Sequence, residues 1–360
     1  MTNRLSSFSS SHSSVPRIGS TVSRIPNSMS NSVDIALKPY VAAAPLKPHS
    51  RSEKFWALLQ LLFELALCLV KSIPLWVEIV VESFSPPPPK NIGGQTALVT
   101  GGANGIGKAI ATELAKEGCN VVIVDVDQTN GQNTAEELKR YNVQSVAYEF
   151  DVADYDQVRE LYRRVERDIG PVDILVNNAG ILPFLSSNEK NPSEIRRLME
   201  VNVLSGFWTV EQFLPNMIRR GRGHIVAIAS VSSYTPVGYM RTYVTSKYAV
   251  RGYMESLDEE LYLIGQTDAV KTTTVFPMVI NTRKQIMEKV DRMPRASILP
   301  RFTTEETAKT VVEAIKTNKR KVVVPQAIKA WQLSFYEHIP IKIRRMMDLT
   351  LMKGKPLVLD

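Results

Sequence analysis

The chain has 360 residues, 44% of them hydrophobic, and 44 Lys+Arg against 36 Asp+Glu give a net charge of +8. That length holds one large domain or two small ones with a sizeable core. The basic excess is modest and not gathered into tracts, which argues against a nucleic-acid partner and suits an anionic cofactor or an anionic membrane surface. The two cysteines, Cys68 and Cys119, lie in different contexts, and the four histidines are scattered. No disulfide framework and no metal centre are therefore predicted, and the folded region is expected to face a reducing compartment.

The first fifty residues are rich in Ser, Asn and Pro, show no apolar period and read as a disordered tail. Arg4, Arg17 and Arg24 precede the first acid, Asp34, so a mitochondrial transit peptide is the minor alternative to a solvated tail. Residues 51–85 form an apolar segment interrupted by Glu64, Lys71, Pro74 and Glu78. A tilted span, a hairpin bent near Pro74 and an interfacial helix all fit it. The run of prolines from Pro86 to Pro89 is a stiff spacer, and residues 86–92 read as a linker. A spacer between an apolar helix and a folded domain favours a membrane anchor over a soluble core helix, with Trp56 and Trp76 at the interface.

From residue 93 short apolar strands alternate with amphipathic helices. Strands are expected at 96–100, 120–126, 146–150, 174–177, 224–229, 272–276 and 322–324. Early helices are expected at 108–116, 135–141 and 155–168. This alternation predicts an α/β fold, a doubly wound parallel sheet covered on both faces, over residues 93–325. Residues 326–360 are basic and partly apolar. They read as a helix on anionic lipid, a lid over the substrate, or a solvated helix closing the domain.

The first strand runs directly into Thr100-Gly101-Gly102-Ala103-Asn104-Gly105-Ile106-Gly107, with a helix beginning near Ile106. Glycines there let a pyrophosphate approach the backbone, and the helix N-terminus offers free N–H groups. The second strand brings Asp125, whose carboxylate can accept hydrogen bonds from both ribose hydroxyls and would repel a 2′-phosphate. No Lys or Arg precedes Lys108 in the loop or follows Asp125 closely, so NAD is favoured over NADP. Asp127 reads as a solvated loop acid. Asp151, followed by Val152, is placed at the adenine amino group, with Asp154 the better-placed helix cap.

Tyr243 and Lys247 stand one helical turn apart, and Ser230 lies thirteen residues before the tyrosine. A phenol ionises near pH 10, too high for base work at neutrality. The lysine ammonium is expected to lower it, so that Tyr243 takes an alcohol proton while Ser230 holds the substrate oxygen. Lys247 would also bind the nicotinamide ribose.

With these motifs in order, the chain resembles the short-chain dehydrogenase/reductase family. The matching elements are the Thr100–Gly107 loop, Asn177-Asn178-Ala179-Gly180, Asn202, Ser230 and the Tyr243/Lys247 pair. The resemblance implies a Rossmann fold and a catalytic tetrad of Asn202, Ser230, Tyr243 and Lys247. Asn202 would bend its helix and hold a water that relays protons from Lys247. It further implies that Gly101, Asn104, Gly105, Ile106, Gly107, Asp125, Asp151, Val152, Asn178, Ala179, Gly180, Tyr243, Lys247, Ile280 and Thr282 surround the cofactor. One departure is Met278, where the family often has glycine before the nicotinamide-binding threonine, here Thr282.

The apolar segment ahead of the glycine loop is similar to the membrane-anchored retinol and 17-beta-hydroxysteroid dehydrogenase branch. That implies a lipophilic alcohol or carbonyl substrate, held by Ser230 and Tyr243. It also implies an endoplasmic-reticulum or lipid-droplet surface, a cytosolic catalytic domain and a homodimer. Substrate walls are expected at 232–241 and 284–300, lined by side chains such as Tyr234, Tyr239, Met240, Met287 and Met293. An NADPH-dependent reductase of the same fold and a non-catalytic lipid-droplet scaffold are the competing readings.

Overall fold

The structure, a computed structural model, describes residues 50–84, 88–182, 191–238, 240–278, 280–281, 288, 291 and 301–351. The Ser-rich tail up to residue 49, Tyr239, Thr282, Met287, Met293 and most of the expected wall at 284–300 lie outside the described residues. The chain divides into two units, Met1–Val80 and Val81–Asp360.

The first unit contains most of one helix, α1 (Arg51–Phe84), 34 residues long. At 1.5 Å per residue it extends about 51 Å. Its Arg51–Val77 stretch is long and apolar enough to cross a membrane by length and composition, with none of its most apolar window buried. Of the three forms open to this segment, the hairpin bent near Pro74 is not the one adopted, because the helix continues through the proline. Just before it, the Ser72 hydroxyl donates to the Leu69 carbonyl (2.7 Å), one local bond close to where proline removes a donor.

The second unit is built on seven strands, all parallel, in the order β3-β2-β1-β4-β5-β6-β7. They are β1 (Thr96–Thr100), β2 (Asn120–Asp125), β3 (Ser145–Glu149), β4 (Ile174–Asn177), β5 (Gly223–Ile228), β6 (Val270–Pro277) and β7 (Lys321–Val324). Side-chain alternation sends the central strands' residues to two faces. Ala97, Val99, Ile123 and Val176 pack with Ile110 and Leu114 of α2 (Gly105–Lys116), Leu138 of α3 (Gln128–Leu138) and Val311 and Ile315 of α8 (Thr304–Lys316). Leu98, Val122 and Leu175 face the other way. They pack with Leu161 of α4 (Tyr155–Asp168), Phe213 of α6 (Ser205–Arg220) and Leu257 of α7 (Arg241–Leu263). Because both faces are covered, the strands read as continuous apolar runs. The strand order reverses direction between β1 and β4, and in such sheets the crevice beyond the strand ends there is the ligand site.

The expected helix at 135–141 is displaced. α3 begins at Gln128 and gives way to a 3₁₀ turn at Lys139–Tyr141. Its polar opening, Gln-Thr-Asn-Gly-Gln-Asn, has no apolar period, and the start is set by a cap instead. Asp127, expected to be a solvated loop acid, accepts the Asn130 backbone N–H at 3.0 Å. The other early helices and strands fall within a few residues of expectation.

Leu98 lies between Val122 and Leu175 at the sheet centre and is fully buried. Leu98→Ala is expected to lower unfolding stability by about 2–5 kcal/mol, read from urea denaturation of the intact protein. A change below about 1 kcal/mol would contradict this packing.

Candidate active site

The glycine turn after β1 is held by groups from three elements. Gly101 and Gly105 have φ of 63° and 57°, the left-handed region that favours glycine. At Gly107 a Cβ would meet the Gly101 carbonyl at 2.1 Å, so only glycine closes the loop. The Gly101 N–H donates to the Val124 carbonyl (2.8 Å), and the Ala103 N–H donates to Asp125 Oδ2 (3.0 Å). The Thr134 hydroxyl donates to the Ala103 carbonyl (3.1 Å). Asn104 is the residue preceding α2, so the first amides of that helix, on Gly105, Ile106 and Gly107, have no partner within it. They present N–H groups and the positive end of the helix dipole to the loop.

Asn178 ties this loop to the end of β4. Its side-chain amide donates to the Thr100 and Gly101 carbonyls, both at 3.0 Å. The Thr100 hydroxyl accepts the Asn178 and Ala179 backbone N–H groups at 3.1 and 3.0 Å. Asn178 thus shapes the groove rather than presenting free donors to it. Asp125, at the end of β2, accepts Ala103 N–H on one oxygen and Asp127 N–H on the other (3.1 Å). Asp151 follows β3, with Oδ1 accepting Ala153 N–H (3.0 Å) and Oδ2 paired with Arg197 at 2.8 Å. Val152 is buried beside it, and Asp154 caps α4 as expected. The pairing of Asp151 with Arg197, on α5 (Pro192–Met199), had no signal in the sequence.

Asn202 sits in the middle of a π turn, Glu200–Leu204, between α5 and α6, the local bend expected of it. Its buried amide is committed on both ends. Oδ1 accepts the Ile181 N–H (2.8 Å), while Nδ2 donates to the Ile181 carbonyl (3.0 Å) and to Ser246 Oγ (3.1 Å). Ser246 in turn donates to the Tyr243 carbonyl (2.7 Å). Asn202 therefore joins the segment after Gly180 to the first turn of α7. A Cβ on Gly180 would lie 3.5 Å from Asn202 Oδ1 and 3.8 Å from Lys247 Nζ, so the two polar ends converge there. A cavity lined by Asn177, Asn202, Ser205, Ile228 and Tyr253 adjoins them.

Lys247 is buried, and its ammonium donates to the Ile228 carbonyl at the end of β5 (2.9 Å). Nζ is 5.7 Å from the centre of the Tyr243 ring. Ser230, just beyond β5, accepts the Ser232 N–H on its hydroxyl (3.1 Å). The sequence-based expectation that lysine lowers the Tyr243 pKa is corrected here. Burial raises it, with the Ser230 hydroxyl pulling it partly back. Burial likewise lowers Lys247 to about 8. With Lys247 buried and Tyr243 half-buried, desolvation sets the direction of both shifts.

One other expectation changes. Tyr234 does not line a substrate wall. It is fully buried with Phe276 (ring centroids 5.0 Å apart), and the Arg251 guanidinium lies 3.7 Å from its ring centre. Its place in the loop after Ser230 suggested a wall, but its ring completes a third apolar cluster with Ala229 and Val323. The C-terminal segment is two helices, α9 (Ala330–His338) and α10 (Ile341–Leu351). Ile280 is buried and bridged to Phe302, and the Met278 N–H donates to the Val324 carbonyl (2.9 Å). Ser246 and Arg251 were missed in the sequence, although both lie at helical spacing from Tyr243 or Lys247.

Lys247 is lowered from 10.5 in the unfolded chain to about 8 in the fold. Its contribution to stability is therefore present above 10.5 and lost as pH falls through 8. Lys247→Met is expected to raise the melting temperature of the cofactor-free protein at pH 7 relative to its value at pH 10. The advantage should shrink across that interval as the native lysine loses its proton. A difference between variant and wild type that is flat over this interval would contradict the burial cost.

Residues 95–292 match the short chain dehydrogenase family model. The chain is 31% identical to human 17-beta-hydroxysteroid dehydrogenase 13, over 75% of this chain and 88% of that protein. It is 32% identical to mouse estradiol 17-beta-dehydrogenase 11, over 74% of this chain and 87% of that protein. Among solved structures, a short chain dehydrogenase from Mycobacterium paratuberculosis bound to NAD aligns with a TM-score of 0.58 and 25% identity, over 66% of this chain and 98% of that one. The fold, the glycine turn and the family match agree: this chain belongs to the short-chain dehydrogenase/reductase family, oxidoreductases that act on CH–OH groups.

Proposed function

We propose that this chain is an NAD-dependent dehydrogenase interconverting a lipophilic primary or secondary alcohol and its carbonyl. The observation that carries the reading is that Asn202 Oδ1 and Lys247 Nζ meet beside Gly180, with Tyr243 one helical turn from Lys247, next to a glycine turn opening a helix whose first amides have no partner within it. Gly101, Asn104, Gly105, Ile106 and Gly107 would hold the pyrophosphate. Ala179, Gly180 and Ile280 would flank the nicotinamide, together with Thr282. Asp151 and Val152 would meet the adenine. Asp125 would take the ribose hydroxyls, because each of its oxygens accepts one backbone N–H and keeps a lone pair for a second donor. The nicotinamide, when bound, supplies the hydride acceptor or donor.

The chain's own groups then handle the proton. Ser230 orients the substrate oxygen and Tyr243 takes or gives the hydroxyl proton. Lys247, with its pKa near 8, carries its charge at neutral pH and favours the phenolate once a substrate oxygen and the ribose order the site. The cavity at Asn202 leaves room for the water that would pass protons from Lys247 outward.

The names of the relatives, hydroxysteroid and estradiol dehydrogenases, support a lipophilic substrate. The exposed apolar α1 supports delivery from a membrane or lipid-droplet surface, with the endoplasmic reticulum as the compartment and the catalytic domain in the cytosol. A homodimer through α6 and α7 is supported by Phe207, 40% exposed and in tilted ring contact with Tyr253 (centroids 4.1 Å apart), and by the exposed Leu204 one turn before it.

The test is turnover by the full-length protein in lipid, offered estradiol, retinol and a long-chain alcohol with NAD+ or NADP+. Reduced nicotinamide should accumulate with NAD+. Tyr243→Phe should cut kcat by about 10²–10⁴-fold, and Asp125→Ala should raise the relative use of NADP+. Absence of turnover on every alcohol, or a preference for NADP+ by the wild type, would overturn the reading.

A further inference from the structure

The face of α7 that carries Tyr243 and Lys247 continues, at the same four-residue spacing, to Arg251 and Glu255. Arg251 is only 17% exposed at its side chain. Its Nε donates to Glu255 Oε1 (3.1 Å). Its terminal NH1 nitrogen donates to the Ser233 carbonyl (2.9 Å) and to Glu337 Oε1 on α9 (3.0 Å). The guanidinium plane covers the buried Tyr234 ring. Glu255 is held in turn by Lys321 of β7 (2.6 Å).

Ser233 and Tyr234 belong to the turn that starts at Ser230. The Ser233 hydroxyl donates to the Ser230 carbonyl (2.6 Å), and the Ser233 N–H bonds the same oxygen (3.0 Å). From the other side, Ile328, Ala330 and Leu333 pack with Tyr234 in one apolar cluster. α9 and the residues leading into it therefore meet the turn twice, by apolar contact at Tyr234 and by charge at Arg251. An arginine suits the joint because its planar fork can reach Glu255, Glu337 and the Ser233 carbonyl together, which a lysine ammonium on a single stem cannot do.

We propose that Arg251 is a positioning residue through which α9, by way of Glu337, fixes the turn that carries Ser230. The C-terminal segment then sets where the Ser230 hydroxyl stands relative to Tyr243, although it contributes no group to the chemistry. This rests on Ser230 being the residue that holds substrate oxygen, so the test has one readout that does not depend on turnover.

That readout is amide hydrogen exchange in the full chain, comparing wild type with Arg251→Met, Glu337→Ala and Glu337→Gln. The amides of Ser233, Tyr234 and Thr235, all bonded within the turn, should exchange about tenfold faster in Arg251→Met and Glu337→Ala, the scale of one charge-assisted hydrogen bond. Amides of the β1–α2 loop should not change. Glu337→Gln, which keeps an acceptor for Arg251, should stay near wild type. With estradiol as the probe alcohol, kcat should fall by a similar factor while KM for NAD+ holds within about twofold. Unchanged turn amides in both disruptive variants would overturn the coupling. So would an equal rise across the whole domain, which would mean a general loss of stability. The expected exchange pattern in a protein that turns over no alcohol would support the coupling and remove only the dehydrogenase reading.

Discussion

A lysine ammonium taken out of water is the constraint around which this site is arranged. Lys247 is 6% exposed, and its ammonium donates to the Ile228 carbonyl at the end of β5. A buried cation is tolerable only where nearby oxygens and a polar neighbourhood replace its hydration. The surrounding elements supply that neighbourhood. β5 ends where its carbonyl is free, the segment from Ala179 to Ile181 brings Gly180 close, and the π turn swings Asn202 inward. Each depends on the parallel sheet, because the ends of β4 and β5 are neighbours in it. Burial also opposes the chemistry. It lowers the lysine to about 8 and raises the tyrosine, so the pair is poised only when something in the site offsets the loss of water.

The second dependence runs through Thr100. Its hydroxyl and carbonyl, at the end of β1, are bonded to Asn178, so the glycine turn and the segment leading to Asn202 are one hydrogen-bonded unit. From there the Ile181 pair reaches Asn202, and the Ser246 hydroxyl reaches the first turn of α7. The glycine turn and the helix that carries Tyr243 and Lys247 are thereby locked to a common frame. A frame of this kind places groups without reorganisation, which is the condition for electrostatic preorganisation.

Much of this was legible in the residues. β1, β4 and α4 lie at the residues expected because each is bounded by a strong local signal: a glycine turn, a turn-forming Asn pair, and an Asp154 cap on a helix with a clean apolar stripe. The start of α3 was hidden because its first six residues are polar and only Asp127 announces the helix. Tyr234 was misplaced because chain position after Ser230 says nothing about which way a ring turns, and here the third apolar cluster claimed it. The direction of the Tyr243 shift was misjudged for a related reason. Spacing shows that a lysine is near, but only packing shows how far each group is withdrawn from water. Arg251 and Glu337 are far apart in sequence, so their contact is a property of tertiary structure alone.

The central claim, that burial rather than the neighbouring lysine governs Tyr243 in the unliganded site, can be measured directly. Phenolate absorbance of the wild type, minus that of Tyr243→Phe, titrated from neutral to alkaline pH, isolates this one side chain. Ionisation above about pH 10 without cofactor, falling when NAD+ saturates the site, is the predicted result. A phenolate already present at neutral pH in the cofactor-free protein would contradict it.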